Sequence, residues 1–216
     1  LMTTALHAQN FGTQTGNTNS NTNNSVIVSG QNNRLLASPW SFIGSGSGNV
    51  ITNGGHYSVI GGGLNNFDAG SASSKLGFIG GGLQNTIGFN ARFSFLGGGW
   101  SNVVSSNSTY SFIGGGAQNT IGADGVPTLY AAVVAGNRNT TRANYSLVFG
   151  GAQNTINAGA VGSFIGSGQF NIVSPNAQNA AVLSGYSNVA GTNYALVMGG
   201  YYNEATGVAS LVAGGS

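Results

Sequence analysis

The sequence predicts an all-β fold, a parallel β-solenoid (β-roll) of about 12 coils. Three observations carry this prediction. A Gly-x-x-Asn motif recurs about every 17 residues, a short apolar stretch precedes each copy, and a second short β-type segment follows it. Such a short repeat cannot bury its own apolar side chains, so stacked copies must share one core. No stretch shows the 3.6-residue period of an amphipathic helix.

The glycine of each Gly-x-x-Asn motif serves as the anchor of its repeat. Gly permits positive φ and close backbone approach, and Asn tolerates the left-handed region and can bond the copies above and below it. We therefore predict a turn ladder between coil faces. Its glycines are Gly30, Gly46, Gly63, Gly82, Gly99, Gly116, Gly136, Gly151, Gly168, Gly185 and Gly200. Its asparagines are Asn33, Asn49, Asn66, Asn85, Asn102, Asn119, Asn139, Asn154, Asn171, Asn188 and Asn203.

The strand before each anchor has two faces of different character. The residue three before the anchor is always Ile, Leu or Val, and those five and one before it are always Ser, Ala or Gly. Alternating positions share a face, so we expect this constant face, with all three positions, inside the coil.

The other face of the strand carries large side chains. Six before the anchor lies a tyrosine column, made of Trp40, Tyr57, Leu76, Phe93, Tyr110, Tyr130, Tyr145 and Tyr194. Four before it lies a phenylalanine column, made of Val26, Phe42, Val59, Phe78, Phe95, Phe112, Leu147, Phe164, Leu196 and Leu211.

These two outward columns predict self-association. Left in water, they would expose far more apolar surface than the few hundred Å² of a typical monomer. The simplest remedy is a symmetric homo-oligomer. We favour a homotrimer, because three flat-sided coils can close around one axis. The predicted interface residues are Trp40, Phe42, Phe78, Phe95, Phe112, Tyr110, Tyr145, Phe164 and Tyr194.

The two ends of the sequence differ from the repeats. Residues 1–24 are assigned to a signal-peptide remnant (residues 1–8) and a polar arm, with a short ordered strand at the base of the rod as the alternative. Residues 25–216 form the β-solenoid repeat domain. The sequence stops in mid-coil at residues 211–216. We expect either a piece of a longer fibre or a head-to-tail filament, in which the arm completes the neighbour's open coil.

Charge is too sparse for most site chemistry. The chain has five Lys and Arg, three Asp and Glu, two His and no Cys. There is no basic stripe for nucleic acid and no apolar run of the roughly 20 residues that span a membrane. Asp68 and Asp124 lie three coils apart, roughly 14 Å, beyond the separation of a glycosidase pair. We therefore expect no enzymatic activity, no cofactor and no metal site, with His56 at the surface.

The strand motif resembles the repeat of YadA-type head domains in trimeric autotransporter adhesins. The resemblance rests on the Ser-x-Ile-Gly runs at residues 41–44, 58–61, 111–114 and 163–166, and it covers residues 25–216. It implies a left-handed, trimeric β-roll on a bacterial surface. The repeats here are longer and less regular, and neither a heptad stalk nor a membrane barrel is visible in this sequence.

Two functions remain open at this stage. The first is an extracellular structural protein, a homotrimeric rod that stacks head to tail into a surface filament. The second is an adhesin head or tail-fibre module that recognises a glycan or a protein on a host surface. Its binding loops would be residues 67–75 and 122–129, predicted to protrude because they lengthen two of the repeats.

Overall fold

The computed structural model describes residues 9–10, 14–20, 23–52, 54–70, 76–122 and 126–216. In these residues the chain forms short strands joined by turns, and there is no helix that could cross a membrane. The strands are β1 (Gln9–Asn10), β2 (Gln14–Thr15), β3 (Thr18–Ser20), β4 (Val26–Ile27), β5 (Gly30–Gln31), β6 (Arg34–Leu36), β7 (Phe42–Ile43), β8 (Val50–Thr52), β9 (Val59–Ile60), β10 (Phe67–Asp68), β11 (Phe78–Ile79), β12 (Thr86–Ile87), β13 (Phe95–Leu96), β14 (Val103–Val104), β15 (Phe112–Ile113), β16 (Thr120–Ile121), β17 (Ala132–Val133), β18 (Thr140–Thr141), β19 (Leu147–Val148), β20 (Thr155–Ile156), β21 (Phe164–Ile165), β22 (Ile172–Val173), β23 (Ala181–Val182), β24 (Val189–Ala190), β25 (Leu196–Val197), β26 (Glu204–Ala205) and β27 (Leu211–Val212).

Two long parallel sheets run the length of the molecule. The first sheet has 13 strands, in the order β1, β4, β7 and then every odd-numbered strand to β27. The second has 12 strands: β3, β6 and then every even-numbered strand to β26. Strands pair in register from coil to coil, so that Phe95 lies beside Phe112 and Val103 beside Thr120. The prediction of a parallel β-solenoid is confirmed, with about eleven turns.

The core lies between the two sheets. The residue three before the anchor comes from the first sheet, and the second residue after the ladder asparagine comes from the second. Ile113 and Ile121 are examples, and both are 0% exposed. The small residue five before the anchor is also buried, as at Ser111. The expected inner face is therefore confirmed at these two positions of the first sheet.

The residue one before the anchor does not belong to this inner face. Each strand of the first sheet ends three residues before the anchor, and the chain then turns. Ser45, Ala135 and Ser167 are consequently exposed. Strand alternation holds only while the backbone stays extended, and here the strand is two residues long.

The described residues between 9 and 20 form a further coil at the base of the solenoid. Strands β1, β2 and β3 pair in parallel with β4, β5 and β6. Asn17 extends the asparagine ladder, since its Oδ1 accepts the Asn33 amide N–H at 2.8 Å. This is the ordered-strand alternative rather than a free arm. The signal-remnant assignment, residues 1–8, lies outside the described residues.

The described parts of the two predicted loops lie closer to the coil than the sequence analysis expected. Residues 67 and 68 are strand β10, and Asp68 is 0% exposed inside the coil. In the second loop, Gly122 and Thr128 are buried. The prediction of a protruding loop is therefore wrong at residues 67 and 122. Residues 71–75 and 123–125 lie outside the described part of the chain.

Candidate self-assembly surface

The aromatic face is our name for the tyrosine and phenylalanine columns together. The phenylalanine column lies on the outer surface of the first sheet, where it alternates with the buried isoleucine positions, and the tyrosine column lies at the turn just before each strand. Eight of the nine predicted interface residues are exposed, from 38% at Phe78 to 60% at Tyr145 and Tyr194, and Phe164 is half-buried. The structure thus places all nine in two neighbouring columns along the rod.

The rings of the aromatic face stack along the rod. Tyr110 and Tyr130 have ring centroids 4.7 Å apart and planes inclined by 2°, and Phe78 and Phe95 are 5.0 Å apart at 3°. This follows from the strand spacing, because parallel strands lie about 4.8 Å apart and leave room only for face-to-face stacking. Each ring therefore covers its neighbour's face and presents its edge outward. This arrangement of ring edges is better suited to packing against another apolar surface than to stacking a flat ligand on a ring face.

The tyrosine column occupies a strained backbone corner. Trp40, Tyr110 and Tyr145 have φ of 60°, 55° and 55°, and the other aromatic members lie in the same range. Left-handed φ is unfavourable for bulky residues by roughly 1–2 kcal/mol each. The same corner is occupied by Gly162 and Asn179 in other coils, and these residue types favour it. The aromatic side chains are thus present at this corner although their left-handed backbone conformation is strained.

The anchor positions of the turn ladder require glycine for two reasons, their positive φ and the close approach of neighbouring coils. All eleven have φ between 86° and 107°. A Cβ added at any of them would overlap the carbonyl oxygen of the anchor in the next coil. The coils approach so closely at this corner that only glycine fits.

The ladder asparagines form a continuous buried hydrogen-bond chain. Asn102 shows the pattern: its amide N–H and its Nδ2 donate to Asn85 Oδ1 at 3.0 and 3.1 Å. Its Nδ2 also donates to the carbonyl oxygens of Gly98 and Gly116, both at 2.9 Å. The left-handed φ expected for these asparagines belongs instead to the residue before them, such as Ser101 at 55°. The asparagine is selected for hydrogen bonding, not for its backbone conformation.

A second aromatic cluster was missed by the sequence analysis. Tyr186 and Tyr201 stack at 4.7 Å, and Tyr202 packs edge-on against both. The pKa of Tyr201 is raised above 10.0, chiefly by its hydrogen bond with Tyr202 and secondly by burial. These residues follow the anchor by one or two places, where the residue type varies widely between repeats, so no column was recognised.

The described residues show no cluster of metal-ligating side chains. They contain no group of three or more His, Asp or Glu side chains placed to hold a metal ion. Asp68 is buried in the core, His56 is half-buried in a turn, and Asp124 lies outside the described residues. One surface depression, of about 190 Å³, is lined by Arg92, Phe93, Thr109 and Tyr110. Another, of about 390 Å³, lies on the second sheet and is lined by Thr86, Gly88 and residues 103–106.

Comparison with known proteins gives no family assignment. No protein-family model matches the sequence, and no curated protein matches it significantly. The resemblance to YadA-type heads therefore stays a prediction.

Proposed function

We propose that this protein is an extracellular structural subunit whose chains associate through the aromatic face into homotrimeric rods. The observation that carries the proposal is the apolar surface that most coils contribute along the rod, with side chains such as Trp40, Tyr110 and Tyr145 about half exposed. Monomeric proteins rarely expose so large an apolar patch. Burying it between copies removes that surface from water at about 25 cal/mol per Å².

The backbone corner beneath the tyrosine column supports the same proposal. Gly162 and Asn179 occupy the corner in two coils, whereas most coils place an aromatic ring there. Strain of this kind is retained where the side chain has a role outside its own coil. An interface between copies gives the rings that role.

A trimer is the symmetry that we propose for the rod. Each chain offers one flat aromatic face, and three such faces close around a common axis with each chain equivalent. The YadA-type resemblance further supports a left-handed coil and a cell-surface location. Head-to-tail stacking into a filament would repeat the coil-to-coil hydrogen bonds, such as Phe95 N to Ser111 O at 2.9 Å, that already join each coil to the next. The adhesin alternative stays a prediction, because its loops lie partly outside the described residues.

Lysine substitutions on the aromatic face test the proposed assembly. In the double variant Phe95→Lys/Phe112→Lys, two neighbouring rings that stack at 5.3 Å are replaced by charges. Charges buried between copies without partners are strongly unfavourable, so we expect the mass in dilute solution to fall to that of one 21.5 kDa chain. Sedimentation velocity measures the mass, and far-UV circular dichroism verifies that the coils remain folded.

Trp100→Lys provides the matched control for this experiment. Trp100 belongs to the same coil as Phe95 and is 47% exposed, but it follows the anchor and lies outside the aromatic face. This variant should keep the wild-type mass. A double variant that assembles normally, or a control that dissociates equally, would show that the aromatic face is not the interface.

A further inference from the structure

The outer surface of the second sheet is a second flat face, distinct from the aromatic face. It is formed by the residue directly after each ladder asparagine, which we call the outer column. Because β6 to β26 pair in register, these residues stack in one line along the rod. From rung one to rung eleven the outer column reads Arg34, Val50, Phe67, Thr86, Val103, Thr120, Thr140, Thr155, Ile172, Val189 and Glu204. Thr18 precedes Arg34 by one further rung.

Charge in the outer column is confined to rungs one and eleven. Arg34 and Glu204 have opposite charge, and both are exposed. Ten coil steps separate them, which is roughly 48 Å at the parallel-strand spacing. They cannot pair within one chain, and the nine residues between them are uncharged.

The order of residue types in this column is close to symmetric about Thr120. Counting outward from Thr120, Val103 is matched by Thr140, and Thr86 by Thr155. Further out, Phe67 is matched by Ile172, Val50 by Val189 and Arg34 by Glu204. Apart from Phe67, which is matched by Ile172, β-branched residues thus match β-branched residues, and a positive charge matches a negative one. This is the pattern that a self-complementary, two-fold interface requires.

We propose that two copies of this chain pack antiparallel through their second-sheet faces, with the two-fold axis passing at Thr120. Rung one of each copy then lies opposite rung eleven of the other. Arg34 of each chain meets Glu204 of its partner, so the interface carries two ion pairs, one at either end. Between them the uncharged rungs of the two columns meet.

The two charges select this orientation and this register. In a parallel arrangement, Arg34 would face Arg34 and Glu204 would face Glu204, and like charges in contact are unfavourable. A shift of one rung from the proposed register would set Arg34 against Val189 or would carry it past the opposing Glu204. Either change loses both ion pairs, so the charges act mainly on specificity.

One further charged residue of the described part of the chain lies on this face and is compatible with the arrangement. Arg142 stands two residues after the outer column on rung seven, where its Nη1 donates to Asn157 Oδ1 at 3.5 Å. In the proposed pair it faces Ser105 of the opposite copy, on rung five, rather than another Arg142. Asp68 shares a strand with Phe67 but is buried in the core.

The contact leaves the aromatic face free. The two sheets enclose one core, so their outer faces point away from each other. A strip eleven rungs long and two residues wide buries on the order of 1,000 Å² in total, at the lower limit of specific interfaces. We therefore expect a concentration-dependent association that joins two copies, or two assembled rods, side by side.

Charge reversal with rescue tests this pairing. The variants are Arg34→Glu, Glu204→Arg and the double reversal, and the readout is sedimentation equilibrium over a range of concentrations. Each single reversal opposes like charges at both ends, so we expect the pairing affinity to fall by about tenfold or more. The double reversal restores opposite charges and should return the affinity to within about threefold of wild type. Arg138→Glu, an exposed reversal directly before a ladder asparagine and outside the outer column, is the control.

The outcomes separate this pairing from the aromatic-face assembly. Circular dichroism verifies folding, and the Phe95→Lys/Phe112→Lys variant should still pair two chains through the second sheet. A wild-type protein that shows no pairing, single reversals without effect, failure of the double reversal to restore pairing, or equal weakening by Arg138→Glu would each overturn the proposal.

Discussion

Replacing Gly116 by alanine is expected to lower the free energy of unfolding by about 3–5 kcal/mol, which combines left-handed strain with a backbone overlap. Gly116 has φ of 92°, and a Cβ there would overlap the carbonyl oxygen of Gly136 in the next coil. A carbonyl held in a ladder of coils cannot move away without breaking its own hydrogen bonds. Urea unfolding followed by circular dichroism measures the change.

Gly115→Ala is the matched control, one residue away in the same glycine triplet. A Cβ at Gly115 would meet only the Gly98 carbonyl oxygen, at 3.9 Å. In another coil the same position is occupied by Ala135. We expect a change within about 1 kcal/mol, typical of an uncrowded site. Equal losses in the two variants would mean that the anchor is not selected by close coil contact.

Replacing Asn139 by alanine should cost a similar amount, roughly 3–5 kcal/mol, because several buried polar groups lose their partners together. Its Oδ1 accepts the Asn154 amide N–H at 3.0 Å and Asn154 Nδ2 at 3.2 Å. Its Nδ2 donates to Ala135 O and Gly151 O at 3.1 and 2.9 Å. Urea unfolding reports the global cost, and hydrogen exchange at the Asn154 amide should become faster.

Asn137→Ala separates this effect from the simple loss of an amide side chain. Asn137 is exposed, and its neighbours in the same ladder of bridges are Ala117 and Ala152. Alanine already fits that ladder, so we expect little change in stability and no faster exchange at Asn154. If Asn139→Ala proved as harmless as Asn137→Ala, the asparagine ladder would not be a source of stability.

The fold could be predicted because each structural requirement of a coil recurs in every repeat of the sequence. The inner positions must have one size in every coil, so residues such as Ile43, Ile60 and Ile79 recur with little variation. A buried ladder position likewise accepts only a side chain that both donates and accepts. Geometry that repeats along the rod therefore leaves a periodic trace in the sequence.

What could not be predicted departs from that periodicity. Asn17 was not recognised as part of the ladder because Gln14 stands where the anchor glycine belongs. Asp68 was assigned to a loop because it begins a stretch that lengthens its repeat, although its register with Ile51 and Ile87 places it in the core. The left-handed corner beneath the tyrosine column was hidden, since aromatic residues seldom adopt it.

The candidate surfaces were predictable to different degrees. The phenylalanine column could be derived from alternation alone, because Phe95 and Phe112 must point opposite to Leu96 and Ile113. The relation of Arg34 to Glu204 depends on knowing that every coil stays in register between them, despite repeats of 15 to 20 residues. That register is a property of the folded rod, because the extra residues of long repeats leave both ladders undisturbed.

The mass of the wild-type protein in dilute solution tests the central claim most directly. Native mass spectrometry, or light scattering coupled to size-exclusion chromatography, would measure it at a concentration where the weaker second-sheet pairing has dissociated. The account predicts a species of three times 21.5 kDa, held together by the aromatic face. A folded, soluble species of 21.5 kDa at all concentrations would contradict it.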